Sequence, residues 1–68
     1  MTVIVTYMDG RIDTYDTGAQ DDGSVIRTAI SDGCYVLSAY DAKGDWLWRD
    51  IIPLDNCRVI LERRGPHV

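Results

Sequence analysis

Phenylalanine is absent from these 68 residues, and glutamate, lysine and histidine occur once each, as Glu62, Lys43 and His67. Scarce Glu and Lys leave few of the side chains that clothe helix surfaces, and Val, Ile, Thr, Tyr and Trp tip the balance toward strands. The single histidine sits beside Pro66 at the penultimate position, where a chain tail cannot hold a general base in place. Ser–His and Cys–His nucleophile arrangements are therefore not expected. The two cysteines, Cys34 and Cys57, have no CxxC spacing and are too few for a disulfide scaffold or a structural zinc site. They read as buried small hydrophobes. No apolar run reaches the length of a membrane span. The start, Met1-Thr2-Val3-Ile4-Val5, lacks the basic and small-residue flanks of a signal peptide. The expectation is a soluble cytoplasmic protein with reduced thiols.

What is present is acid in the form of aspartate, which suits turns more than helix surfaces. The net charge is −4, unevenly spread. In residues 1–57 the ten Asp face Arg11, Arg27, Lys43 and Arg49, giving −6; in 58–68 Arg58, Arg63 and Arg64 face Glu62, giving +2. An acidic body repels phosphate backbones, which counts against general nucleic-acid binding. An apolar fraction of 46% places the chain among globular proteins, as one domain over residues 1–64 with a flexible tail at 65–68.

Along the chain, residues 2–8 and 11–17 read as a hairpin around Asp9-Gly10. A two-residue loop would put Tyr7 opposite Ile12; a three-residue loop with Gly10 as a bulge would shift the register by one. Residues 18–23 read as an irregular polar loop. Residues 24–31 favour a strand, with Asp32-Gly33 turning into the next; the alternative is a short helix capped by Ser24 and Gly33. Residues 34–41 and 45–51 form a second hairpin, with a type I turn and a left-handed Gly44. Pro53 ends that ladder, and 53–56 make a tight turn into a last strand, 57–63. There Cys57, Val59 and Leu61 are expected on one face, and Arg58, Ile60 and Glu62 on the other. The fold class is all-β: about six short antiparallel strands in a curled meander or small SH3-like barrel.

Trp46 and Trp48 lie two residues apart, so a regular strand would send both rings to one face, either core or binding surface. With no Phe, the six residues Tyr7, Tyr15, Tyr35, Tyr40, Trp46 and Trp48 must supply most large core side chains. Tyr40 and Trp48 are the first candidates for accessible positions, and Trp46, beside the turn, is expected to fold over the hairpin end. Asp13, Asp16, Asp21 and Asp22 match no cation-loop spacing and read as turn formers. Asp41, Asp45 and Asp50 read as solvated carboxylates. Neither a metal nor a cofactor is expected.

Ala39-Tyr40-Asp41 with Trp46 and Trp48 resembles the aromatic strip of SH3 domains over residues 39–48. In that family the first motif lies near the domain start and the tryptophans follow an acidic loop, an order this chain does not keep. The Pro-rich-peptide function is therefore not carried over. The residues point to a small acidic, non-enzymatic interaction module, an adaptor or stoichiometric inhibitor. It would recognise a protein partner through Tyr40, Trp46, Trp48, Arg49 and Asp50, and pair with itself as a homodimer. The rival reading is a nucleic-acid-binding small β-barrel that stacks bases on aromatics and meets phosphates with Arg58, Arg63 and Arg64.

Overall fold

A computed structural model describes residues 1–64; the tail at 65–68, with His67, lies outside the described residues. The described residues form seven strands: β1 (Thr2–Tyr7), β2 (Ile12–Asp16), β3 (Gly18–Ala19), β4 (Val25–Ser31), β5 (Cys34–Tyr40), β6 (Trp46–Pro53) and β7 (Cys57–Arg63). One 3₁₀ turn, Leu54–Asn56, precedes β7. Sheet A is ordered β2-β1-β7 and sheet B β3-β4-β5-β6, with every pairing antiparallel. The strands follow one another as a meander, and β7 returns to pair with β1, so the all-β expectation holds. Among the described residues no helix is long and apolar enough to cross a membrane.

The turns set the register. Three hairpin loops share one construction, with glycine as the last loop residue at φ near +90°. In the first, the Gly10 N–H donates to the Tyr7 carbonyl at 3.0 Å and the Tyr7 N–H to Arg11 at 2.8 Å. Gln20-to-Ser24 and Asp41-to-Asp45 repeat both bonds. This is the three-residue loop with a glycine bulge, so Thr6, not Tyr7, stands opposite Ile12. An aspartate carboxylate braces each loop, as when Asp22 accepts the Ser24 N–H at 2.9 Å and hydroxyl at 2.6 Å. Residues 18–23 are therefore less irregular than their polarity suggests: Gly18 and Ala19 pair with Ile26 and Val25.

Residues 25–31 are strand, as the β-branched content favours. Asp32 at φ 52° and Gly33 at φ 73° supply the two left-handed residues of a type I′ turn, whose twist matches the flanking strands. The chain passes from sheet A to sheet B at buried Thr17, which exchanges backbone bonds of 2.6 and 2.9 Å with Met1. At the far end the Leu54 N–H reaches Gly33 at 2.9 Å, tying the 3₁₀ turn to the β4–β5 turn.

Alternation then builds the core. Val3 and Val5 of β1 meet Tyr35 and Leu37 of β5 and Ile52 of β6, all at most 5% exposed. Each such side chain contributes about 1.5–3 kcal/mol of burial.

Two strands break their period of two. β7 shifts register between its partners Thr6 and Tyr7, so Cys57 stands opposite Tyr7 and packs against the core. Val59 and Leu61 lie on the outer face at 51% and 43% exposed. Cys57 thus does not share their face, contrary to simple alternation. Both cysteines are free and half-buried rather than fully buried.

Candidate functional site

The same kind of break decides where the tryptophans go. β6 pairs Trp48 with Ala39 and Trp46 with Tyr40, and the register slips between those partners. Residues opposite one another in an antiparallel pair share a face, and Ala39 and Tyr40 alternate across β5. Trp48 therefore joins the inner face and Trp46 the outer. The expectation that both rings share a face fails because the ladder carries one extra residue, Leu47. The expected burial order fails too: Trp46 is 60% exposed and Trp48 39%.

The outer face of sheet B consists of transverse rows. Val25, Tyr40 and Trp46 form the first; Arg27, Ser38 and Arg49 the second; Ala29, Val36 and Ile51 the third. A last row, Ser31, Cys34 and Pro53, closes the face beside the β4–β5 turn. An open hollow of about 600 Å³ runs over the second and third rows, reaching Tyr40 at one end and Ser31 and Cys34 at the other. Among the described residues no strand covers it.

In the middle row Arg49 donates from Nε to the Ser38 hydroxyl oxygen at 3.0 Å. Laying the arginine stem across Ser38 accounts for that residue being 8% exposed on an otherwise uncovered face. The Arg27 guanidinium carbon stands 5.9 Å from the centre of the Tyr40 ring, within cation–π range. The strand positions of Arg27 and Arg49 thus flank Ser38, with the Arg27 guanidinium toward Tyr40 in the aromatic row on one side and an aliphatic row on the other.

Of the residues singled out in the sequence, Tyr40, Trp46 and Arg49 come together here, and Trp48 and Asp50 do not. Asp50 stands opposite Leu37 on the inner side and accepts a long 3.5 Å hydrogen bond from the Tyr15 hydroxyl. That contact belongs to a polar cluster on the inner faces. Tyr7, with the Arg11 guanidinium 4.2 Å from its ring centre, has its hydroxyl pKa pushed up to about 12. Burial is the main cause, followed by a hydrogen bond to Asp13. Tyr15 is raised by burial and by the Asp50 charge, and Tyr35 chiefly by burial. These phenols stay neutral at ordinary pH. Among the described residues no group of three or more metal-ligating side chains converges.

Arg27, Ser38, Val36 and Ile51 are the residues that sequence reading missed. For Arg27, Ser38 and Val36 the signal was the type I′ turn at Asp32-Gly33: once it fixes β4 against β5, Arg27 must fall opposite Ser38, whereas Ile51 is placed by the pairing of β6 with β5. The chain matches no protein-family model, no curated protein and no solved structure.

Proposed function

We propose that this chain is a small, acidic, non-enzymatic interaction module that recognises a protein partner through the outer face of sheet B and the adjoining edge strand β6. The observation that carries this reading is β6 itself. It is the longest strand, seven of its eight residues are exposed, and it presents Trp46 and Ile51 at about 60% exposure beside Arg49. Large apolar and aromatic surface next to a guanidinium is the composition of binding hot spots. The module works as an adaptor or stoichiometric inhibitor in the cytoplasm, where two free thiols fit a reducing environment.

Self-association belongs to the other face. On the outside of sheet A, Ile12 and Val59 flank Thr6, and Leu61 and Thr14 flank Ile4. Both rows are uncharged and contain three exposed aliphatics. The next row sets Asp16 and Arg63 on either side of Thr2, opposite charges that a two-fold packing can cross. This supports a homodimer built back to back, leaving both sheet B faces outward.

Site-directed photo-crosslinking in the source cells tests the recognition face. A photoreactive residue at Ile51 should give discrete adducts with another polypeptide, and one at Asp21, in the β3–β4 loop, should not. Equal adducts at both positions, or none at Ile51, would overturn the reading.

A further inference from the structure

We infer that the outer face of sheet B binds an extended acidic peptide segment, seating a glutamate or aspartate carboxylate over the Arg27–Ser38–Arg49 row. This rests on the reading of that face as the recognition surface and adds the chemistry of what it recognises.

Arg27 and Arg49 lie on the strands either side of β5, so their backbones stand about 10 Å apart, a gap that two long side chains can close around one small anion. Arg49 is held by its bond to Ser38, which fixes the guanidinium and leaves the Nη donors of the fork. Planar forks of this kind match carboxylates.

Charge supports an anionic occupant. The chain carries −4, yet none of the rows on this face contains a carboxylate, and Asp32 borders the hollow only from the turn. The other aspartates are screened over roughly 8 Å at physiological salt, so the local sign governs contact.

The rows also specify spacing. Successive rows are two residues apart along β5, roughly 7 Å, which is the side-chain repeat of an extended strand. A peptide lying along the sheet would present an apolar residue to Ala29, Val36 and Ile51, an acid to the arginines, and an apolar or aromatic residue to Tyr40 and Trp46. The pattern is apolar-x-acid-x-apolar.

A second copy fits this face poorly, because two-fold packing would turn the arginine row against itself. Nucleic acid brings a run of phosphates toward an acidic protein that offers two arginines on this face.

The test uses the full chain, isotope-labelled, with a short synthetic peptide carrying isoleucine, glutamate and phenylalanine at alternate positions. Amide shifts confined to β4, β5 and β6, with binding weakened about tenfold or more when the peptide's glutamate becomes glutamine, are expected. Arg27→Gln and Arg49→Gln, at exposed positions, should each weaken the glutamate peptide and bring its affinity toward that of the glutamine peptide. Equal binding of the two peptides on this face would overturn the carboxylate assignment while leaving the face a recognition surface. Absence of shifts with either peptide would overturn the inference, and the Ile51 crosslink decides the underlying reading separately. A single-stranded oligonucleotide that displaces the peptide would overturn it in favour of nucleic acid. Protein-concentration-dependent shifts of the same amides without peptide would overturn it in favour of a second copy.

Discussion

Truncating the two tryptophans separates the faces of sheet B, because the register slip at Leu47 sends them in opposite directions. An indole buries roughly 150–250 Å² when fully enclosed. At 60% exposed, Trp46 keeps about two fifths of that from water, roughly 60–100 Å², worth about 1.5–2.5 kcal/mol at about 25 cal/mol per Å². At 39% exposed, Trp48 withholds roughly 90–150 Å², or about 2.3–3.8 kcal/mol. Both figures are upper bounds, because a denatured chain already hides some apolar surface. A domain of 68 residues has a total stability of about 3–10 kcal/mol, so the difference is measurable. Urea unfolding should place Trp48→Ala at a clearly lower midpoint than Trp46→Ala. Acidic-peptide binding should respond in the opposite order, falling with Trp46→Ala and surviving in Trp48→Ala under conditions where that variant is folded. A Trp46→Ala variant that is unfolded while Trp48→Ala keeps the wild-type midpoint would refute the face assignment.

Two further outcomes follow. Sedimentation equilibrium at micromolar concentration should give a species near twice 7.7 kDa, and Leu61→Lys, at a 43% exposed site on sheet A, should shift it to monomer. One species near 7.7 kDa across a hundredfold dilution of the wild type would refute the dimer. Tyr7 titrates near 10 when unfolded and near 12 when folded, so the folded state holds its proton longer. Its contribution is intact below pH 10 and lost as pH rises toward 12. Urea midpoints should therefore fall over that window more steeply for wild type than for Tyr7→Phe, and identical slopes would refute the tyrosine's role.

The strands were legible because local chemistry determined them: Asp-Gly at 9–10 and 32–33, Gly44, and β-branched runs between. Pro53 stops its ladder opposite Cys34, and the tight turn before Cys57 is the 3₁₀ turn that its residues suggest. The site was half legible for a different reason. Period-two reasoning assigns faces correctly until a strand carries an extra residue, and β6 and β7 each shift register within the stretch that matters. Nothing in Trp46-Leu47-Trp48 announces which residue bulges; pairing with β5 decides it. Arg27 escaped attention because its importance lies in what stands across β5 from it, not in its own neighbours.

The arrangement of charge on β6 explains why two copies would not pair along that edge. Among the described residues β6 has one hydrogen-bonded neighbour, so its other side offers the backbone groups that invite a second strand. A two-fold axis through such a pairing makes one residue face its own copy. Centred on Arg49 or on Asp50, the two registers that use most of the strand, that residue is a charge directly opposite a like charge, which is destabilising. Centring on Trp48 avoids this but runs the pairing into the irregularity at Leu47 and leaves the Pro53 end unpaired. The middle of the edge is therefore guarded by the same Arg49 that the face uses for recognition. Pairing strand to strand would also carry the arginine row into the seam between copies, whereas packing through the uncharged rows of sheet A leaves it open to an acidic partner.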